Sequence, residues 1–208
     1  MEYNKDNKEI ISDKIINELD KLVINFVNIL EEFTDYVIVS GYVAIILGRS
    51  RATEDIDFLI PKMSLPKFEK LFNSLKDKGY ECANTLDAED AYSMLNEHAI
   101  RFFNITPVPN MEFKIITNNI QKEAFDKKIK IRLKEKILFI SPLELQIVYK
   151  LSLIARDDFE EISSDKDFED AKHLYETFKE KLDKEKLLNY IKLFKIEDIW
   201  EFLENEKL

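Results

Sequence analysis

Glycine is nearly missing from this chain: there are three in 208 residues, and two of them, Gly41 and Gly48, stand in one short segment. A residue used so sparingly marks backbone that a side chain would obstruct or strain. Cysteine is reduced to Cys82, which excludes an internal disulfide and any cysteine metal cluster. It reads as a buried thiol of a cytosolic protein. Long apolar runs are also missing. The longest, Tyr36 to Leu47, is about twelve residues and is broken by Ser40-Gly41, whereas a membrane span needs roughly twenty. The first residues mix charges and lack the basic-then-apolar layout of a signal peptide, so a cytoplasmic location is expected. Positive charge is in deficit, with 31 basic against 41 acidic residues and a net charge of −10. A chain that grips duplex phosphates shows a basic face or excess, so non-specific DNA binding is not expected. Room remains for a nucleotide neutralised by magnesium, or for a local basic groove around an RNA end.

What is present points to a folded α/β chain. Hydrophobic residues make up 45 %, enough for a substantial core in one compact domain with a helical extension, or in two small domains. Apolar steps of three and four from Ile11 to Phe33 predict an amphipathic helix over about Ile10 to Phe33. A strand at Tyr36–Ser40, a short helix at Tyr42–Leu47 and a strand at Ile56–Pro61 follow. Leu65–Lys78 reads as a helix closed by Gly79. Asp87–Glu97 is ambiguous, either helix or ordered loop. His98–Ile105, Met111–Thr117 and Ile129–Leu133 have strand character, Ile137–Ile140 is a short apolar piece, and Asn119–Lys127 is helical. Ser141-Pro142-Leu143-Glu144 reads as a helix start, with Ser141 as cap and proline at the first helical position. From there the pattern is helical throughout: Pro142–Asp157, Asp165–Leu182, Lys184–Phe194 and Ile196–Leu203. The expected division is an α/β part, 1–138, and a helical part, 139–208.

Chemistry concentrates after Val39. Arg51, Thr53, Asp55 and Asp57 recur with a period of two, which in an extended segment puts all four on one face. Carboxylates two apart on a strand lie roughly 6.5–7 Å apart at the backbone. Their side chains can converge on one divalent cation or a pair. Glu112 is the only acid between Ala99 and Thr117, and alternation puts it with Lys114 opposite Met111, Phe113 and Ile115. Glu112 can serve as a metal ligand or as a general base. Ser40 and Gly41 can offer backbone N–H groups to phosphate oxygens at a helix start. Arg51 either meets a phosphate or braces Asp55. His98, His173, Phe102 and Phe103 read as packing or surface residues.

Ser40-Gly41, thirteen residues, then Asp55-Ile56-Asp57-Phe58 resembles the signature of the DNA polymerase beta-type nucleotidyltransferase superfamily. The fuller order, with Arg51-x-Thr53-x-Asp55-x-Asp57, is similar to its small prokaryotic branch of minimal and abortive-infection-type enzymes, the latter from toxin–antitoxin systems. Ser141-Pro142-Leu143-Glu144, Lys150, Arg156 and Lys166-Asp167-Phe168-Glu169-Asp170 resemble the helical half of the abortive-infection type. The resemblance covers roughly residues 35 to 180. It implies an α/β (α+β) fold, a small mixed sheet with flanking helices, followed by a C-terminal helical bundle. It implies transfer of NMP from a nucleoside triphosphate to an acceptor (RNA end, protein hydroxyl or small molecule). Asp55, Asp57 and Glu112 would hold two Mg2+ ions, with Lys150, Lys166 and Asp170 facing the nucleotide. Two residues depart from the family pattern: Ser40 replaces the first glycine of its doublet, and Glu112 replaces an aspartate. They keep a second reading open, a catalytically silent member that binds nucleotide or a protein partner, and a third, a scaffold that binds no nucleotide.

Overall fold

The computed structural model describes residues 1–154 and 162–206. Two short strands open the chain, β1 (Glu2–Asn4) and β2 (Glu9–Ser12), and helix α1 spans Glu18–Leu30. The helix expected from about Ile10 therefore starts eight residues later. Its start is set by a reciprocal capping box: the Asp20 N–H donates to Asn17 Oδ1 at 2.9 Å, and the Asn17 N–H donates to Asp20 Oδ2 at 3.0 Å. Ile11 and Ile15, which match the helical period, are exposed, and Ile10 is buried in a strand instead.

Next come β3 (Val37–Val39), α2 (Gly41–Ile46), β4 (Asp55–Ile60) and α3 (Leu65–Asp77). Gly79 ends α3 at φ +83°, the left-handed cap that the sequence predicts. The segment then runs β5 (Tyr80–Cys82), α4 (Ala88–Glu97), β6 (Ile100–Asn104), β7 (Thr106–Ile115), α5 (Asn119–Asp126), β8 (Ile129–Leu133) and β9 (Lys136–Ile140). The ambiguous Asp87–Glu97 stretch is helix α4, capped by the Asp87 carboxylate on two N–H groups. Helices α6 (Leu143–Ser152), α7 (Lys166–Phe178), α8 (Lys184–Phe194) and α9 (Glu197–Asn205) complete the chain. Ser141 does not cap α6: its N–H donates to Ile38 O at 2.9 Å and its hydroxyl makes no cap bond, so the helix begins after Pro142. Arg156 and the expected end of this helix at Asp157 lie outside the described residues.

The described residues form a mixed α/β structure with nine helices and one nine-stranded sheet in the order β1-β2-β8-β9-β3-β4-β7-β6-β5. Strand β4 sits near its middle, antiparallel to β3 and parallel to β7. Phe58 of β4 lies opposite Phe113 of β7, and Asp57 lies opposite Glu112. The period of two sends these pairs to opposite faces. On one face Phe58 and Phe113 pack with Phe26 of α1, at ring-centroid distances of 5.4 and 5.3 Å, and with Phe102 beyond. On the other face the carboxylates emerge side by side.

Candidate active site

The cleft beside those carboxylates has a volume of about 630 Å³. Of the ten residues singled out in the sequence, nine line it: Ser40, Gly41, Arg51, Thr53, Asp55, Asp57, Glu112, Lys150 and Lys166. Asp170 does not, being fully buried behind the wall. Only Asp55 and Asp57 of the period-two set stand on a strand; Arg51 and Thr53 belong to the loop before β4. The Thr53 hydroxyl braces that loop by donating to Asp55 O at 2.9 Å.

Arg51 pairs with Asp170 rather than bracing Asp55. Its fork grips Asp170, with Nε to Oδ1 at 2.8 Å and Nη2 to Oδ2 at 2.6 Å. The guanidinium lies flat over Gly41, so close that a Cβ there would collide with Nη2. The sparse glycine is thus explained by an arginine passing over bare backbone. Arg49 Nε at 2.9 Å and Lys150 Nζ at 3.1 Å reach the same carboxylate. Burial pushes the Asp170 carboxyl up, but Arg51 and Lys150 outweigh it and hold the group below the usual carboxylate range. Lys150 is also buried and donates to Asp167 Oδ1 at 2.5 Å. Asp170 and Lys150 therefore fasten α6 and α7 to the loop carrying Arg49 and Arg51. Their charges are engaged with one another and with Arg49, Arg51 and Asp167. Lys166 stands exposed at the rim.

Ser40 occupies the turn between β3 and α2 at φ 63°, ψ −141°, backbone that favours glycine. Its N–H donates to Gln146 Oε1 at 3.1 Å, and Gln146 Nε2 donates back to Ser40 O at 2.8 Å. The buried amide of α6 has thus taken the N–H that the sequence offered to a phosphate.

At the centre are Asp57 and Glu112, both buried, with one cation between them. Lys114 Nζ lies 2.9 Å from Asp57 Oδ1 and 2.5 Å from Glu112 Oε1. Arg101, directly across β6 from Glu112, contacts Glu112 Oε2. Burial raises the Asp57 carboxyl, Lys114 offsets part of this, and Asp55 and Glu112 push it further up. For Glu112 burial also pulls upward, but Lys114 and Arg101 prevail and hold it below its ordinary value. The Lys114 ammonium is correspondingly raised, its two carboxylates outweighing the cost of burial. Asp167, part of the Lys166-Asp167-x-x-Asp170 motif, lines the cleft, and so do Arg101 and Tyr149, which had not been singled out. The alternation Ile100, Phe102 inward and Arg101 outward could have revealed the first. Tyr149 carried no signal beyond its neighbour Lys150.

Among the described residues no three carboxylate, imidazole or thiol groups converge as a ready cage for a metal ion. The donor set nevertheless suits magnesium, which prefers hard oxygen ligands. Asp57 and Glu112 already aim at a common point, occupied by the Lys114 ammonium.

No family model matches the chain, and neither does any curated protein. Among solved structures it is similar to an antigenic nucleotidyltransferase-like protein from Paracoccidioides brasiliensis. The two share 15% identity over 88% of this chain and 90% of that one, with a TM-score of 0.52. A weaker likeness is to ANT(2")-Ia in complex with adenylyl-2"-tobramycin, at 13% identity over 84% and 95% of the two chains and a TM-score of 0.48. Identities this low speak to architecture and not to the small prokaryotic branch that the sequence resembles. The chain has the fold of nucleotidyltransferase-like proteins.

Proposed function

We propose that this chain is a nucleotidyltransferase that moves NMP from a nucleoside triphosphate to an acceptor hydroxyl, using two magnesium ions in the cleft. One observation carries the reading: two buried carboxylates, Asp57 and Glu112, lie in register on adjacent parallel strands and share a single cation. Carboxylates are rarely buried without such a purpose or partner. Asp55, Asp57 and Glu112 would hold the metal. When bound, magnesium would neutralise the triphosphate and stabilise charge on the attacking and leaving oxygens of an in-line displacement. Glu112 would serve as a metal ligand beside the two aspartates or as the general base. Lys166 at the rim is placed to meet phosphate charge. Arg51, Lys150 and Asp170 act by holding the walls of the cleft together.

A second reading is a silent member of the fold that binds nucleotide or a protein partner, for instance within a toxin–antitoxin pair. The Lys114 bridge and the strained Ser40 favour it. The two are separated by incubating the protein with labelled nucleoside triphosphates, magnesium and candidate RNA, protein and small-molecule acceptors. The first reading expects magnesium-dependent label transfer with pyrophosphate release, lost in Asp57→Asn. Nucleotide binding with no transfer to any acceptor and no pyrophosphate would favour the second.

A further inference from the structure

We propose that Lys114 is a resident counter-cation: its ammonium fills the position between Asp57 and Glu112, and a divalent ion binds there only as Lys114 leaves. The inference rests on the reading of this cleft as a metal-dependent site. Its geometry is that of substitution. One ammonium lies within hydrogen-bond distance of an oxygen on each of two buried carboxylates, the same point at which a cation bridging them would sit. Two cations cannot share that point, since like charges a few ångströms apart repel.

The charge balance says the same. Of the charged residues lining the cleft, those on strands β4, β6 and β7 are three carboxylates, Asp55, Asp57 and Glu112, and two cations, Lys114 and Arg101. The remainder is one negative charge, too little to attract a divalent ion strongly. With Lys114 withdrawn it becomes two, which matches one divalent ion while Arg101 stays on Glu112. Lys114 is also built to leave. Its side chain is 40% exposed, against 10% for Asp57 and 5% for Glu112, so the mobile partner of the trio is the cation. It also borders a second recess of about 80 Å³ lined by Gln121 and Tyr149, which gives the ammonium somewhere to go. The carboxylates are therefore partly neutralised from within when the cleft is empty. Arrival of the divalent ion releases an ammonium beside the space where phosphates would lie.

The test is Mn2+ binding to the full chain, read from the loss of the free-ion electron paramagnetic resonance signal. Asp57→Asn serves to subtract adventitious sites. Lys114→Met should bind at least about fivefold more tightly than wild type, the lower end of ordinary site-to-site linkage. Lys114→Arg, which keeps the charge, should bind no more tightly than wild type. If wild type binds Mn2+ and Lys114→Met binds equally or less, Lys114 is no competitor and only this proposal falls. If neither binds, the metal-dependent reading of the cleft falls and takes the proposal with it. Should Lys114→Met fail to fold, wild type alone decides. Reductive methylation of Lys114, followed by mass spectrometry, should run several-fold faster with Mg2+ than with chelator, and an unchanged or slower rate overturns the inference.

Discussion

Ser40 holds φ 63°, ψ −141°, backbone that costs a side-chain-bearing residue about 1–3 kcal/mol and glycine much less. Its hydroxyl makes no cap bond that would offset the cost. Ser40→Gly should therefore raise stability by about 1 kcal/mol in urea denaturation, and a fall would mean that the hydroxyl makes an unseen contribution. Gly41 makes the opposite case. Gly41→Ala should lose stability, because the new methyl drives the Arg51 guanidinium off Asp170; an unchanged midpoint would show that Arg51 can shift freely. The sequence marked Gly41 through the scarcity of glycine, and Ser40 as a departure from the glycine doublet of the family it resembles. It did not reveal who covers Gly41, because the partner, Arg51, is itself tethered to Asp170, 119 residues further on. Contacts at that separation leave no local pattern. Asp55, Asp57 and Glu112, by contrast, were legible as a group, because strand alternation put each on a polar face and the family resemblance brought Glu112 to the two aspartates.

Elements were legible where a period or a cap was strong. Helices α3, α5 and α8 lie within a residue or two of their sequence-predicted bounds. Strand β5 was missed, since three residues cannot display an alternation, and the start of α1 was misplaced because Ile11 and Ile15 fit a helical period by chance. The Asn17–Asp20 capping box held the correct answer; Asn17→Ala should cost about 0.5–2 kcal/mol if it sets that start. Between elements, the principal fastening is Asp170 on α7, held by Arg49, Arg51 and Lys150. Removing one partner from a buried ionic cluster strands the others, so Asp170→Asn should destabilise by about 3–5 kcal/mol. The pH signature has a fixed sign. Asp170 is held below its ordinary value of 3.8, so its contribution is complete above that pH and is lost as pH falls through the folded value. Wild type should lose stability below about pH 3.8 more steeply than Asp170→Asn in acid denaturation. Parallel acid limbs, or a loss under about 0.5 kcal/mol, would reduce Asp170 to an ordinary surface group.

For the whole molecule, the account makes the cleft a place where negative charge is gathered at a cost to the empty fold and repaid by a cation with its nucleotide. Burial together with Asp55 and Glu112 raises the Asp57 carboxyl in spite of the Lys114 ammonium beside it, so its charge is held at a net cost. A neutral amide of nearly the same volume should then suit the empty protein at least as well. The most direct measurement is thermal unfolding of wild type and Asp57→Asn, each with and without ATP, in magnesium or in chelator. Wild type should gain roughly 2.7 kcal/mol from ATP at a hundred times its dissociation constant, in magnesium only. Asp57→Asn should melt at an equal or higher temperature when empty and gain nothing from magnesium and ATP. A clear fall in its empty melting temperature, with magnesium-dependent ATP stabilisation intact, would contradict the account and make Asp57 a structural residue.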